Sequence, residues 1–357
     1  MKLLYIVLDG APDGFRSDTA LALADKPGID ELARHGVCGL VHVVGEGVAP
    51  ESDVAVLSLL GYEPDKYYTG RGPLEALGAG LDMPPGSVAV RANFATVDPE
   101  TLRIIDRRVG RSLTSMEARR LAEAIDGMSL MEGEATARFR ATIGHRGVLL
   151  LTHKRVRLSG EITNTDPAYE RRGRISIALE EFEPRIMEAK PLSSDPAAEV
   201  TARLVNEFTH KAIEVLDRHE VNIDRRRRGL LPANAVLLRD AGDQPPPAEP
   251  FKSRFGLDMA SIVEMVVERG IARALGITDI PVEVEGRGRR EVLEEEASKV
   301  LKALESHDGV YVHLKGPDEP GHDGDLEGKI KAIEDIDKYF IQRLLAGVDP
   351  SEVLTIV

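Results

Sequence analysis

"KLLYIVLDG", residues 2–10, is a short apolar run closed by Asp9 and Gly10. An unbroken apolar run bounded by a turn signal reads as a strand buried on both faces, the hallmark of a parallel sheet. The residues that follow fit this frame. "GIDELARHG" (28–36) has helical spacing, with Ile29, Leu32 and Ala33 on one side and Gly36 as the stop. "GLVHVVGEG" (39–47) reads as a second strand, and "SDVAVLSLLGY" (52–62) as a helix that opens at Ser52 and stops at Gly61. This β-α-β-α alternation predicts an α/β protein whose parallel sheet carries helices on both faces.

The middle of the chain breaks the rhythm. Short strands at 87–97 and 146–153, helices at 115–126 and 197–217, and polar loops between them read as an α+β insertion. Alternation resumes at "NAVLLRDAG" (234–242). An amphipathic helix over 259–275, a charged helix over 290–306, a strand at 309–316, a helix over 326–346 and a last strand at 352–357 follow. The expected domains are therefore 1–69 and 233–357, interrupted by 70–232. The tetrad "RRRR" (225–228) reads as a solvated turn at the point of return.

Bulk properties exclude several classes. The 357 residues are 42% hydrophobic and 30% charged, so the chain can bury a real core, filled by aliphatics because Trp is absent. A formal net charge of −14 argues against a general nucleic-acid binder. The single cysteine, Cys38, fits a reducing compartment, and no apolar run reaches membrane-spanning length. A cytoplasmic soluble protein is the expectation.

Three places carry chemistry. Asp9 stands at the carboxyl end of the first strand, where open α/β sheets bind their ligands, although Asp also caps such turns. Ser52 opens a helix; serine is a good N-cap, and the same geometry offers a nucleophile to a phosphate or a metal. Asp318 and His322 lie in "YVHLKGPDEPGHDGD" (311–325), a loop in which Gly316, Pro317, Pro320 and Gly321 are expected to forbid a regular helix. A carboxylate and an imidazole together suit a Mn- or Zn-class ion.

"VLDGAPD", "PESDVAVLSLLGYEP", "LLPANAVLLRDAG" and "HLKGPDEPGHDGD" followed by "KIKAIEDID" together resemble the archaeal-type cofactor-independent phosphoglycerate mutases of the alkaline phosphatase superfamily. The resemblance runs over nearly the whole chain in motif order. It implies an alkaline-phosphatase-like domain interrupted by a substrate-binding insertion, and two divalent metal ions, Mn first and Mg, Co or Zn as alternatives. It further implies exchange of 3-phosphoglycerate and 2-phosphoglycerate through a phosphoserine, without a 2,3-bisphosphoglycerate primer. Ser52 matches the nucleophile and Asp9 a ligand of the metal that touches it; Asp318 and His322 match two ligands of the other metal. Arg91, Arg108, Arg111, His145 and Arg146 fall in segments that resemble substrate-binding stretches, and Lys252 is a candidate for stabilising phosphoryl charge. A two-domain clamp that shuts out water would keep such an enzyme from acting as a phosphatase.

One departure stands out. In the family a strand like "VLTIV" (353–357) runs into T-A-D-H, whose ligands, with a later histidine, complete the metal sites. The expectation is a shortened chain, with weak metal binding and little mutase activity as it stands. Two other readings compete: a metal-dependent phosphohydrolase or phosphonate hydrolase of the same superfamily, and a non-catalytic binding relative.

Overall fold

The computed structural model describes residues 1–14, 16–47 and 52–357. They form two compact units, Met1–Ala49 with Glu249–Val357, and Pro50–Ala248. Among the described residues no helix is long and apolar enough to cross a membrane.

The first unit is built on the opening strand. Lys2–Leu8 lies between Gly309–Leu314 and Val353–Ile356, parallel to both. Met259–Val263 and the short Thr278–Asp279 extend the sheet on the far side of Gly309–Leu314, again in parallel. Leu4, Ile6, Ile262, Val310 and Val312 are all buried, as the apolar runs require, and Phe340 packs in the same core. The sheet is parallel, as expected, but two elements differ. Residues 39–47 form no strand: the place beside Lys2–Leu8 is taken by Val353–Ile356, and Leu40 and Val41 stay exposed at 79% and 76%. The amphipathic helix expected over 259–275 is a buried strand followed by the helix Val266–Ala274. A short apolar run has no period that separates strand from helix, and only the second half carries the helical stripe.

The second unit holds an antiparallel sheet. Val88–Val97 pairs with Arg146–His153 on one side and with Ala235–Gly242 on the other. Ala135–Ala141 and Met128–Leu130 continue the sheet beyond Arg146–His153. Phe94, Phe139 and Phe208 stack through its core with ring centroids 5.5 and 6.1 Å apart. The strand read as the resumption of parallel alternation, 234–242, thus belongs to this antiparallel sheet. Ser52 and its helix, Ser52–Leu59, lie in this unit as well. The division falls at 49/50 and 248/249, outside the boundaries at 69/70 and 232/233 that composition suggested.

The arginine tetrad is no solvated turn. It closes the helix Glu220–Arg227, and the Arg225 side chain is fully buried. Its guanidinium donates to the Leu231 carbonyl, to Ser112 Oγ at 2.7 Å and to Glu117 Oε2 at 2.8 Å. A buried charge is tolerated when its donors are matched in this way.

Candidate active site: a carboxylate cluster and an arginine cluster

At the carboxyl edge of the parallel sheet, Asp9 follows its strand and donates its N–H to the Leu314 carbonyl at 3.0 Å. His313, on the neighbouring strand, is buried, and its Nδ1 sits 3.0 Å from the Tyr311 hydroxyl. Its Nε2 therefore faces Asp9 at 3.5 Å and Glu268 at 3.7 Å. Asp9, Glu268 and His313 offer one ligand atom each within 4.8 Å of one another. Two carboxylate oxygens and an imidazole nitrogen fit a divalent ion of the Mn or Zn class. The Lys315 ammonium lies among them, paired with Asp9 and 2.6 Å from Glu268 Oε1. Burial pushes the Asp9 carboxyl up, but the His313 hydrogen bond and the Lys315 ammonium outweigh it and hold Asp9 well below the usual carboxylate range. For Lys315 burial pulls the other way, and Glu268 and Asp9 raise it regardless.

Asp318 and His322 do not sit in an irregular loop. Asp318–Asp323 is one short helix, which Gly324 ends in the left-handed region. Pro320 is its third residue, where a backbone N–H has no partner inside the helix, so proline costs little there. The two side chains are therefore neighbours one turn apart, with His322 Nε2 3.5 Å from Asp318 Oδ1; His322 is largely exposed and Asp318 about half. Gly10 ties them to the first cluster: at φ +72 it lies so close to Asp318 that a Cβ would strike the Asp318 backbone. The fold thus brings Asp9 and Asp318 to one edge of one sheet.

The second unit carries the opposite charge. Ser52 opens its helix, and the next residue, Asp53, is fully buried; Asp53 Oδ2 accepts the Tyr68 hydroxyl at 2.7 Å. Three elements converge nearby. The helix Arg71–Gly78 brings Arg71 and Glu75, joined at 2.8 Å. The strand Val88–Val97 brings Arg91, whose Nε is 3.1 Å from the same Glu75. The strand Ala235–Gly242 brings Arg239, which donates to Asp166 at 2.9 Å, while Arg107 grips Asp166 through two bonds of 3.0 and 2.7 Å. Arg239 also lies over the Tyr169 ring, 4.3 Å from its centroid.

His145 and Arg146 adjoin this cluster. Burial and then the fields of Arg146, Arg108, Arg239 and Arg111 push the His145 imidazole down to about 4, so it is neutral at pH 7. Of the anion-binding candidates, Arg91, Arg108, Arg111, His145 and Arg146 share one electropositive region, with Arg108 and Arg111 at its exposed rim. Lys252 lies in the first unit, exposed and paired with Asp258 at 2.9 Å.

Several partners escaped the sequence reading: Glu268, Lys315, Asp53, Arg71, Glu75, Arg107, Asp166 and Arg239. Arg239 left a signal, a charge inside the apolar "NAVLLRDAG". Lys315 stands in the motif that exposed Asp318. Glu268 left none, since one acid on an amphipathic helix is ordinarily solvated.

One unit ends its parallel strands in carboxylates and a histidine that could hold a metal ion, and the other gathers guanidiniums able to bind an anion, the marks of an α/β enzyme acting on an anionic small molecule. The comparisons give the family. The profile of "2,3-bisphosphoglycerate-independent phosphoglycerate mutase" matches residues 33–222. A protein of that name from Aeropyrum pernix is 64% identical, over 99% of this chain and 85% of its own length. One from Methanopyrus kandleri is 42% identical, over 98% and 81%. The solved cofactor-independent phosphoglycerate mutase from Thermoplasma acidophilum superposes with a TM-score of 0.60 at 33% identity, covering 95% of this chain and 82% of that one. The chain belongs to the 2,3-bisphosphoglycerate-independent phosphoglycerate mutases and is an enzyme of that class.

Proposed function

We propose that the protein interconverts 3-phosphoglycerate and 2-phosphoglycerate through a phosphoserine on Ser52, with no 2,3-bisphosphoglycerate primer. The observation that carries this is the arginine cluster built into the same unit as Ser52, with Asp53 and Tyr68 fixing the first turn of its helix. Guanidiniums match phosphate and carboxylate oxygens in pairs, and a phosphoglycerate offers one group of each kind.

Ser52 gives up its hydroxyl proton as Oγ attacks phosphorus, the bond from phosphorus to the 3-oxygen breaks, and that oxygen takes up a proton to leave glycerate. The 2-hydroxyl of glycerate then loses its proton and attacks phosphoserine, the bond from phosphorus to Oγ breaks, and Ser52 takes back a proton. The guanidiniums offset charge on the phosphoryl oxygens and hold glycerate by its carboxylate between the two halves. His145, neutral at pH 7, adds a hydrogen-bonding group to the cluster without adding a further positive charge. Asp9, Asp318 and His322 would hold the divalent ions, with Mn the first candidate and Mg, Co or Zn the alternatives. When bound, those ions supply a lowered hydroxyl pKa and neutralisation of phosphoryl charge. An alkaline-phosphatase-like first unit, a substrate-binding second unit and a cytoplasmic setting complete the proposal.

The test is conversion of 3-phosphoglycerate by the full-length protein with Mn²⁺ and no bisphosphate, followed by acid quench and mass spectrometry. Conversion with phosphate on the Ser52 peptide is the expected result, and Ser52→Ala should lose both. Release of inorganic phosphate without 2-phosphoglycerate would make the protein a hydrolase instead.

A further inference from the structure

The strand Ala235–Gly242 pairs Gly242 with Ala89 and Arg239 with Arg91. Between those two pairs it holds one residue more than its partner does, which is a β-bulge. The bulge is made by Asp240, a non-glycine residue at φ +58. Left-handed backbone is disfavoured for side-chain-bearing residues, and Asp and Asn tolerate it best after glycine. The bulge also seats the next element, since a Cβ on Gly72 would come within 2.6 Å of the Asp240 carbonyl oxygen. Arg91 and Arg239 both come within 4 Å of this one irregular residue.

The Asp240 carboxylate does not fasten these arginines. Arg239 is held by Asp166 and Arg71 by Glu75, and Arg91 lies nearest to Glu75. Asp240 Oδ2 stands 3.6 Å from Arg239 Nε and 3.9 Å from Arg91 Nη1, within ion-pair range but beyond hydrogen-bond length. Its fixed negative charge therefore acts on whatever anion enters the cluster. Resting on the function proposed above, we infer that Asp240 is a selectivity residue: it lowers the pocket's affinity for anions in general and rejects a ligand with two phosphates more strongly than one with a phosphate and a carboxylate. Repulsion scales with ligand charge, so a single embedded carboxylate discriminates between the two. The pocket would thereby take phosphoglycerates while excluding 2,3-bisphosphoglycerate and similar bisphosphates.

Asp240→Asn and Asp240→Gly both suit φ +58, so either keeps the bulge while removing the charge. Calorimetric titration of the full-length Mn²⁺ enzyme with 3-phosphoglycerate and with 2,3-bisphosphoglycerate gives the readout, and thermal melts check the fold. In both variants bisphosphate binding should tighten by about tenfold or more and 3-phosphoglycerate binding by about threefold, with melting of the ligand-free protein lowered modestly by the lost counter-charge. Equal tightening of both ligands, no change, or weaker binding would overturn the inference. If wild type converts 3-phosphoglycerate but the variants keep its selectivity, this inference alone falls. If wild type neither binds nor converts it, the proposed function falls and takes the inference with it.

Discussion

The carboxylate cluster of the first unit and the arginine cluster of the second are opposites in charge and alike in construction. In the first, Asp9, Glu268 and His313 surround one ammonium, Lys315. In the second, Glu75 and Asp166 fasten Arg71, Arg91 and Arg239, and one further carboxylate, Asp240, stands beside Arg91 and Arg239 without a hydrogen bond to either. A site for a cation must gather anions, and a site for an anion must gather cations, so each repels itself while the ligand is away. One embedded counter-charge relieves that repulsion at the expense of affinity. The difference lies in how the counter-charge is held: Lys315 makes close pairs, whereas Asp240 stands off at 3.6 Å and beyond. Lys315 should therefore matter to both stability and metal affinity, and Asp240 to ligand selectivity more than to stability.

The comparison breaks most sharply at Arg239. Arg239→Met removes one of the two guanidiniums that hold Asp166 and the one nearer the Tyr169 ring. A loss of about 100-fold or more in kcat/KM for 3-phosphoglycerate is expected, with Mn²⁺ affinity unchanged. Arg239→Lys should recover only part of it, because an ammonium lacks the planar fork. Equal damage to metal binding would show that the two clusters are not separate sites.

Asp9→Asn is the mirror experiment. It neutralises one of two carboxylates in the first cluster, and Mn²⁺ affinity measured by titration should fall by about 10- to 100-fold or more. Sulfate or phosphate binding at the arginine cluster should not move. Lys315→Met comes next in size. The metal-free protein should lose about 3 kcal/mol, because Asp9 and Glu268 are left as unpaired partly or fully buried carboxylates. Mn²⁺ should then raise the melting temperature more than it does in wild type, because the ion no longer competes with an ammonium. A variant as stable as wild type without metal would remove Lys315 from the comparison.

The sequence made these clusters legible to different degrees, for physical reasons. Asp9, Asp318 and His322 stood out because parallel strands and constrained turns announce themselves locally, and the apolar run at 2–8 decides the sheet. The arginine cluster is non-local: Arg71, Arg91 and Arg239 come from a helix and two strands whose antiparallel pairing spans well over a hundred residues. Helix 318–323 was hidden because proline stops a helix only beyond its first turn. Arg225 was misjudged for a related reason. A run of four arginines looks solvated until Glu117 and Ser112, from a distant loop and helix, supply acceptors for one of them.

The smallest effect lies just behind the carboxylate cluster. Glu264 accepts the Lys315 backbone N–H at 3.0 Å and an Arg289 guanidinium bond at 2.7 Å, and Glu296 is fully buried in the helix that carries Arg289. Burial, then the Glu264 charge, pushes the Glu296 carboxyl up to about 8 from an ordinary 4.5. The folded state therefore holds a proton there that the unfolded chain releases above about 4.5. Stability from this group is fully present below that pH and is lost as pH rises towards 8, because the unfolded state binds fewer protons. Glu296→Gln carries a neutral amide at every pH and escapes the loss. Its melting temperature should match wild type near pH 4.5 and exceed it at pH 8 to 9, by an amount equivalent to at most a few kcal/mol. A difference that stays constant across pH would mean that Glu296 is ionised in the folded protein. A further buried negative charge would then stand behind the carboxylate cluster.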